Sequence, residues 1–294
     1  MRILLPLLLL LNTSVFGEEA IRLQFAPNVP VEQTITIDVD MHQNLPGFKM
    51  DAVSKQDFKA ILKISSEQSE ASSLSQGPAD LIFTMKDLNV EMKINGKNLV
   101  YHAKDAAHSV ETAEIAKVID RPLRLQLNEQ FQLKEDNKEL KKILEDLPQL
   151  KKLNLEKIIK EMFVYLYAFA GKDIRVGNVY PITIPSELIP GLPVTLSYII
   201  TKIENDNVYA TIAGTINTAN KPLKNKLRIS DEKEEQVYLN AKGKILGHGQ
   251  WNVKNALIHH IDTDFDVTGS IKVNNLEWPL SFKGRVNVKS QAVK

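Results

Sequence analysis

Apolar and polar residues alternate along most of this chain with a period of two, the pattern of β-strands that have one buried face. Between 35 and 41 every odd position is apolar, while threonine and aspartate occupy the even ones. The same alternation recurs at 58–64, 81–85, 88–94, 194–200 and 208–216, and through most of 236–288. Asn95-Gly96 predicts a two-residue hairpin, because both central positions of a type I′ turn need a positive φ. Antiparallel sheet is therefore expected to dominate the chain.

The spacing of apolar residues changes in the middle of the chain. Between 140 and 147 they recur at positions i, i+3, i+4 and i+7, which is the stripe of an amphipathic helix. A second helix is predicted over 154–170, with Asn154 as its N-cap and Gly171 just past its end. A further helical candidate covers 106–118. This middle part is therefore expected to be helical.

The order of strands, helices and strands predicts a β-rich α+β fold with antiparallel sheet. We expect curved antiparallel sheets, in one domain or in two half-domains, packed on a central helical segment. The predicted parts are a signal peptide at 1–17, an N-terminal β region at 18–105, the helical segment at 106–171 and a C-terminal β region at 172–294.

The first 17 residues have the three features of a secretory signal peptide. Arg2 gives a positive start, and 3–11 is an apolar run broken only by Pro6. Val15 and Gly17 then stand at the −3 and −1 positions of a cleavage site. The apolar run is shorter than the roughly 20 residues that span a bilayer as a helix. We predict an exported protein, periplasmic or extracellular, that is cleaved after Gly17 and has no transmembrane span in its mature chain.

Composition narrows the possible functions. The chain of 294 residues contains no cysteine, which excludes disulfides, thiol nucleophiles and cysteine-ligated metals. An exported chain without disulfides fits a bacterial envelope better than a eukaryotic secreted module. The formal charge is +1, and it falls to zero when Arg2 leaves with the signal peptide. This balance argues against nucleic acid as a partner.

One strand carries a concentration of metal-ligating side chains. His260, Asp262 and Asp264 stand at every second position and would point to one face of the strand, about 7 Å apart per step. An imidazole and carboxylates suit a divalent cation, but ligands from another strand would also be needed. These three residues are the candidate metal site, and a metal-dependent hydrolase that uses them is one alternative function. The other reading is the solvated face of an antiparallel strand.

Two apolar loops are the candidate ligand-binding elements. Leu45 and Phe48 flank Pro46-Gly47 early in the chain, and Leu188, Ile189 and Leu192 lie in a proline-rich loop. Apolar loop residues can form the lip of a hydrophobic cavity or a docking surface for lipid or protein. The alternative is that each loop plugs the open end of its own sheet.

Sequence motifs of catalysis are missing from the chain. There is no Gly-x-Ser-x-Gly elbow and no His-Glu-x-x-His helix, so we assign no catalytic residue and no cofactor. The resulting hypothesis is a non-catalytic envelope protein that binds an apolar ligand, such as an acyl chain or lipid, or a protein partner. A structural or scaffolding module is the remaining alternative.

Three short stretches carry a resemblance to a known group of proteins. They are Leu23-Gln24-Phe25, the run from Arg175 to Tyr180, and the run from Gly247 to Trp251. The chain resembles a family of exported bacterial β-rich domains of unknown function, which implies a β-rich fold and supplies no catalytic residues. At the level of fold it is similar to periplasmic lipoprotein carriers, which implies a curved antiparallel sheet closed over helices around an acyl-chain cavity.

Overall fold

The structure is a computed structural model. It describes residues 20–23, 29–45, 48–65, 80–103, 116–127, 134, 142, 164–184, 194–218, 221–222, 227–230, 233–273 and 276–293.

Fourteen strands are defined within these ranges. They are β1 (Pro30–Leu45), β2 (Phe48–Ser65), β3 (Asp80–Ile94), β4 (Lys97–His102), β5 (Pro122–Gln126), β6 (Val179–Ile184), β7 (Val194–Glu204), β8 (Asn207–Asn217), β9 (Lys221–Pro222), β10 (Leu227–Ser230), β11 (Lys233–Glu235), β12 (Val237–Asn252), β13 (Ile258–Val273) and β14 (Leu276–Ala292). The predicted hairpin at Asn95-Gly96 is confirmed: both residues have positive φ, and β3 and β4 pair on either side of them.

The strands form one large antiparallel sheet. Ten of them follow the order β4-β3-β2-β1-β14-β13-β12-β8-β7-β6, with β5 paired to β3 and β9 to β12. β10 and β11 form a separate two-stranded sheet. The first and last long strands, β1 and β14, pair over thirteen residue positions in the middle of this order. The two β regions of the sequence therefore share one sheet and one hydrophobic core.

The predicted α+β class with a central helical segment is wrong. Strands make up 77% of the described residues and helix 3%, and within the described ranges no helix is long and apolar enough to cross a membrane. Of the predicted helix at 154–170, residues 154–163 lie outside the described residues, 164–166 are helical, and turns follow through Gly171. The other two predicted helices lie largely outside the described residues.

A physical reason why the helix does not continue past 166 is visible at 166–170. All five of these residues are buried in succession, whereas a helix lying on a sheet buries only one stripe of its surface. The carbonyl groups of Tyr165 and Leu166 accept hydrogen bonds from side chains of the sheet. These bonds satisfy main-chain acceptors that a continuing helix would have used.

The sheet has one apolar face, which we call the inner face, and one polar face, the outer face. In β7 the side chains of Val194, Leu196, Tyr198 and Ile200 are buried, while the residues between them are partly or fully exposed. The strand registers carry this alternation across the sheet, and the buried side chains of the long strands join one core. The prediction of strands with one wet face is confirmed for these elements.

Glycines on the inner face mark places where neighbouring strands come close. A Cβ atom at Gly243 would lie 2.7 Å from the carbonyl oxygen of Asp266, and one at Gly269 would lie 2.7 Å from the Cα atom of Ala241. At these positions the close approach of the neighbouring strand leaves room for glycine alone unless the strands shift.

Candidate ligand-binding site

Residues 164–170, which we call the inner segment, lie against the inner face and are held there by side chains of several strands. The Trp251 indole of β12 donates a hydrogen bond of 2.9 Å from Nε1 to the carbonyl oxygen of Leu166. The Tyr198 hydroxyl of β7 donates to the carbonyl oxygen of Tyr165. Buried polar groups need such partners, since leaving one unpaired costs about 1–3 kcal/mol. These bonds fix the position of the segment along the sheet.

Two further side-chain hydrogen bonds join the inner segment to β1 and β13. Gln33 of β1 donates from Nε2 to the hydroxyl oxygen of Tyr167 at 2.9 Å. The hydroxyl of Tyr165 is hydrogen-bonded to that of Thr263 on β13. Gln33 and Thr263 are among the few polar side chains buried in the core. The segment is thus tied to four strands that span the middle of the sheet.

Aromatic packing surrounds these bonds. Phe169 is fully buried, and its ring contacts Trp251 with centroids 4.8 Å apart and Tyr180 with centroids 5.9 Å apart. Tyr198 packs edge-on against both Phe169 and Trp251. Tilted and edge-on arrangements are those that the quadrupole of an aromatic ring favours. This part of the inner face is filled by side chains.

Burial keeps the hydroxyl groups of the inner segment neutral. It raises the pKa of Tyr165 to about 12 and raises the pKa of Tyr167 and Tyr198 as well. All three phenols therefore stay protonated at physiological pH and serve as hydrogen-bond donors and acceptors.

The chain after the inner segment is joined to the residues that follow the predicted signal peptide. Ile21 and Ile174 form an antiparallel bridge, and the guanidinium of Arg22 contacts the carboxylate of Asp173 at 2.6 Å. Leu23 is buried in the core beside them. The inner segment and this bridge together close one end of the inner face.

The opposite end of the sheet, which we call the open rim, is where β1 ends and β14 begins. The β1–β2 and β3–β4 turns lie there, as the register of β2 with its two neighbours requires. Leu276, the first residue of β14, is 58% exposed at this rim. The ends of β6 and β7 that flank 185–193 pair at Ile184 and Val194 at the same end.

Two of the five predicted ligand-binding residues lie within the described part of the chain. Leu45 and Phe48 are opposite each other in the strand register, where β1 ends and β2 begins at the open rim. Leu188, Ile189 and Leu192 lie outside the described residues. The sequence analysis missed the inner face itself as a binding surface, although its alternation could have identified the positions that share that face.

Toward the open rim the inner face changes from buried to partly exposed. In β3 the inner positions Leu81, Phe83 and Met85 are buried, whereas Val90 and Met92, beyond a bulge in the pairing with β2, are half-buried. On β1 and β14 the inner positions likewise become half-buried toward the open rim. Eight of the half-buried apolar inner positions form what we call the inner stripe: Ile37, Val39 and Met41 on β1, Leu88, Val90, Met92 and Ile94 on β3, and Leu280 on β14.

Two polar side chains interrupt this apolar surface. Ser54 and Gln56 of β2 lie between the inner stripe residues of β1 and β3, opposite Val39 and Ile37 in the strand register. Both are half-buried. An apolar surface with a small number of placed polar groups is the usual composition of a small-molecule site.

The candidate metal residues lie on the outer face, on β13. Arg285 of β14 binds the Asp262 carboxylate through two nitrogens, with Nε 2.6 Å from Oδ1, and lies 3.8 Å from Asp264. The hydrogen bond from Arg285 holds the pKa of Asp262 below its usual range. Within the described part of the chain, no group of three or more histidine, aspartate or glutamate side chains is placed to hold a metal ion. The aspartates are thus engaged with an arginine and are not gathered around His260.

A groove of 600 Å³ lies on the outer face, away from the inner stripe. It is lined by Thr215, Ile216, Asn217, Lys242, Gly243, Lys244, Asp266 and Thr268.

Comparisons with known proteins place the chain in no family. No protein family matches it, and no curated protein sequence does. Among solved structures, it is similar to lipovitellin, in a structure concerned with lipid–protein interactions, with 9% identity and a TM-score of 0.48. That similarity covers 92% of this chain and 26% of lipovitellin, so the chain spans about a quarter of that protein.

Two bacterial proteins show more distant similarity. OccK5 (OpdH) of Pseudomonas aeruginosa has 8% identity and a TM-score of 0.23, covering 92% of this chain and all of that one. An outer membrane channel of Pseudomonas putida F1 has 5% identity and a TM-score of 0.22, covering 91% of this chain and 97% of that one. At TM-scores below 0.5, none of these likenesses establishes a shared fold with this chain.

Proposed function

We propose that this protein binds an amphiphile with an acyl chain, such as a lipid, against the inner stripe. The observation that carries the proposal is the contrast between the two ends of the inner face. One end is filled by the inner segment and its hydrogen bonds, whereas the inner stripe stays partly exposed toward the open rim. An apolar chain bound on the inner stripe would remove its own apolar surface and that of the stripe from water.

The composition of the stripe supports an amphiphile rather than a pure hydrocarbon. The aliphatic and methionine side chains offer an adaptable apolar surface, and Ser54 and Gln56 offer hydrogen bonds to a polar group. Because each buried methylene contributes about 0.8 kcal/mol, affinity should rise about fourfold per added methylene until the stripe is filled.

We also propose that the protein reaches the cell envelope or exterior through a signal peptide at 1–17. The support is the charged, apolar and small-residue pattern of that segment. Sequencing the N-terminus of the protein isolated from its own cell envelope or culture medium tests this: the proposal requires a chain that starts at Glu18, and a chain that keeps residues 1–17 contradicts it.

Ligand binding is tested by a matched pair of substitutions that differ only in the face they modify. Val90 lies half-buried on the inner stripe, while Val53 lies on the outer face of the neighbouring strand and is 54% exposed. Val90→Asp should abolish binding of a fluorescent fatty-acid probe, because it places a carboxylate in the apolar surface. Val53→Asp should leave binding unchanged.

Native mass spectrometry of the same proteins supplies a second readout. The unmodified chain should carry an extractable amphiphile that Val90→Asp lacks. Equal probe binding by both variants, or no binding by the folded wild-type chain, would contradict the proposal.

A further inference from the structure

Two histidines of adjacent strands meet on the outer face. His248 of β12 pairs with Asp262 in the strand register, and His260 of β13 pairs with Gln250, so the two histidines are diagonal neighbours. Their ring centroids are 5.3 Å apart, and the ring planes are inclined by 70°. His248 is exposed and His260 is half-buried. The sequence analysis considered His260 with the aspartates of its own strand and missed this partner.

We propose that His248 and His260 form a two-histidine site for a divalent transition-metal ion of the zinc class. Imidazole is a preferred ligand of Zn²⁺, Cu²⁺ and Ni²⁺. With Zn–N bonds of about 2.1 Å and tetrahedral angles, two imidazoles on one ion have their ring centres about 5 Å apart. The 5.3 Å spacing of the two ring centres is therefore compatible with coordination of one ion by both rings. Water or an acidic group of a ligand would complete the coordination.

The charges around the pair set the expected strength of the site. Asp262 lies beside both rings and supplies negative charge, but Arg285 occupies its two oxygens. Lys289 is opposite His260 in the strand register. Its positive charge disfavours the binding of another cation there. We therefore expect reversible binding at this surface and not a buried structural metal.

Zinc titration of the untagged chain by isothermal calorimetry tests the proposal. The expected result is one saturable site that is lost in both His248→Ala and His260→Ala. His259→Ala and His42→Ala are the matched controls and should retain it: His259 is an exposed neighbour of the pair, and His42 lies between Asp40 and Asp51 on a distant part of the outer face. A wild-type chain that binds no zinc would overturn the proposal, as would binding that survives either of the first two substitutions.

A measurement on the unsubstituted chain gives a result that does not depend on whether the histidine variants fold. Zinc should shift the NMR signals of the imidazole rings of His248 and His260 and leave those of His42 and His259 in place. Shifts confined to His42, or to no histidine, would overturn the proposal. Both readouts are independent of acyl-chain binding, because the histidine pair and the inner stripe lie on opposite faces of the sheet.

Discussion

Gly243 shows how little room the inner face leaves where β12 and β13 approach each other. A Cβ atom there would lie 2.7 Å from the main-chain oxygen of Asp266, 2.7 Å from Cγ2 of Val267 and 3.1 Å from its Cα. Two of these three atoms belong to the main chain and cannot rotate away. Adding a methyl group therefore forces the strands apart, and overpacking of this kind typically costs about 1–3 kcal/mol.

Gly243→Ala should accordingly lower the free energy of unfolding by about 1–3 kcal/mol, measured by urea denaturation. The control is Lys242→Ala at the next position, which is exposed on the outer face and should change stability by less than about 0.5 kcal/mol. Equal stability of the two variants would show that the strands are not crowded at Gly243.

His42 is a second residue whose behaviour follows from its immediate neighbours. Its Nδ1 lies 2.9 Å from the carboxylate of Asp51, and its Nε2 lies 3.2 Å from that of Asp40. The hydrogen bond to Asp51 and the charge of Asp40 raise the pKa of His42 above its ordinary value. The protonated form is thus favoured in the folded chain.

The sign of the pH dependence follows from this raised pKa. The contribution of His42 to stability is fully present below the pKa of the unfolded chain and is lost as pH rises through the raised pKa of the folded chain. An NMR titration should show His42 titrating above 6.5. Asp51→Asn should return the value toward 6.5, and a titration that this substitution leaves unchanged would remove Asp51 as the cause.

At the scale of elements, the inner segment is held in place by a few side-chain hydrogen bonds. Trp251→Phe keeps an aromatic ring but removes the donor to the Leu166 carbonyl. The unpaired buried carbonyl should cost about 1–3 kcal/mol. Hydrogen exchange within 164–170 should become faster, while exchange in β13 changes less.

Trp278→Phe is the control for this prediction, since Trp278 is a half-buried residue of β14 near the open rim and lies far along the sheet from the inner segment. It should leave exchange in 164–170 at the wild-type rate. If Trp251→Phe has no larger effect than this control, the indole bond does not hold the segment.

The elements also show what could be predicted from the sequence. Alternation predicted the long strands and the faces they share, because the period of two is a local property of a strand. The helix predicted at 154–170 does not continue through 167–170: these residues are buried in succession against the sheet, and local spacing does not report contacts with distant strands. The β1–β14 pairing likewise joins residues more than 230 positions apart along the chain.

The candidate site was predictable only in part for a related reason. Strict alternation would place Val90 and Met92 on the face opposite to Phe83, and only the bulge in the pairing of β3 with β2 brings all three to the inner face. The sequence pattern also does not show that Phe83 is buried while the other two remain partly exposed. The histidine pair could not be predicted from the sequence either, because it is the register of β12 on β13 that brings His248 beside His260.

At the scale of the whole molecule, the inner face of one sheet is covered by the inner segment near one end and is partly exposed toward the other. The inner segment is hydrogen-bonded to four strands, and the inner stripe lies between it and the open rim. An accessible apolar surface beside this anchored segment would let an acyl chain bind without unfolding the core. The central claim is therefore about where the chain of the ligand lies.

Photo-crosslinking with a fatty acid that carries a diazirine on its acyl chain tests that claim most directly. After irradiation and proteolysis, mass spectrometry should locate adducts on inner stripe residues such as Val90, Met92 and Leu280, and an excess of unlabelled fatty acid should suppress them. Adducts restricted to outer-face residues such as Val53, or labelling that unlabelled fatty acid does not reduce, would contradict the account.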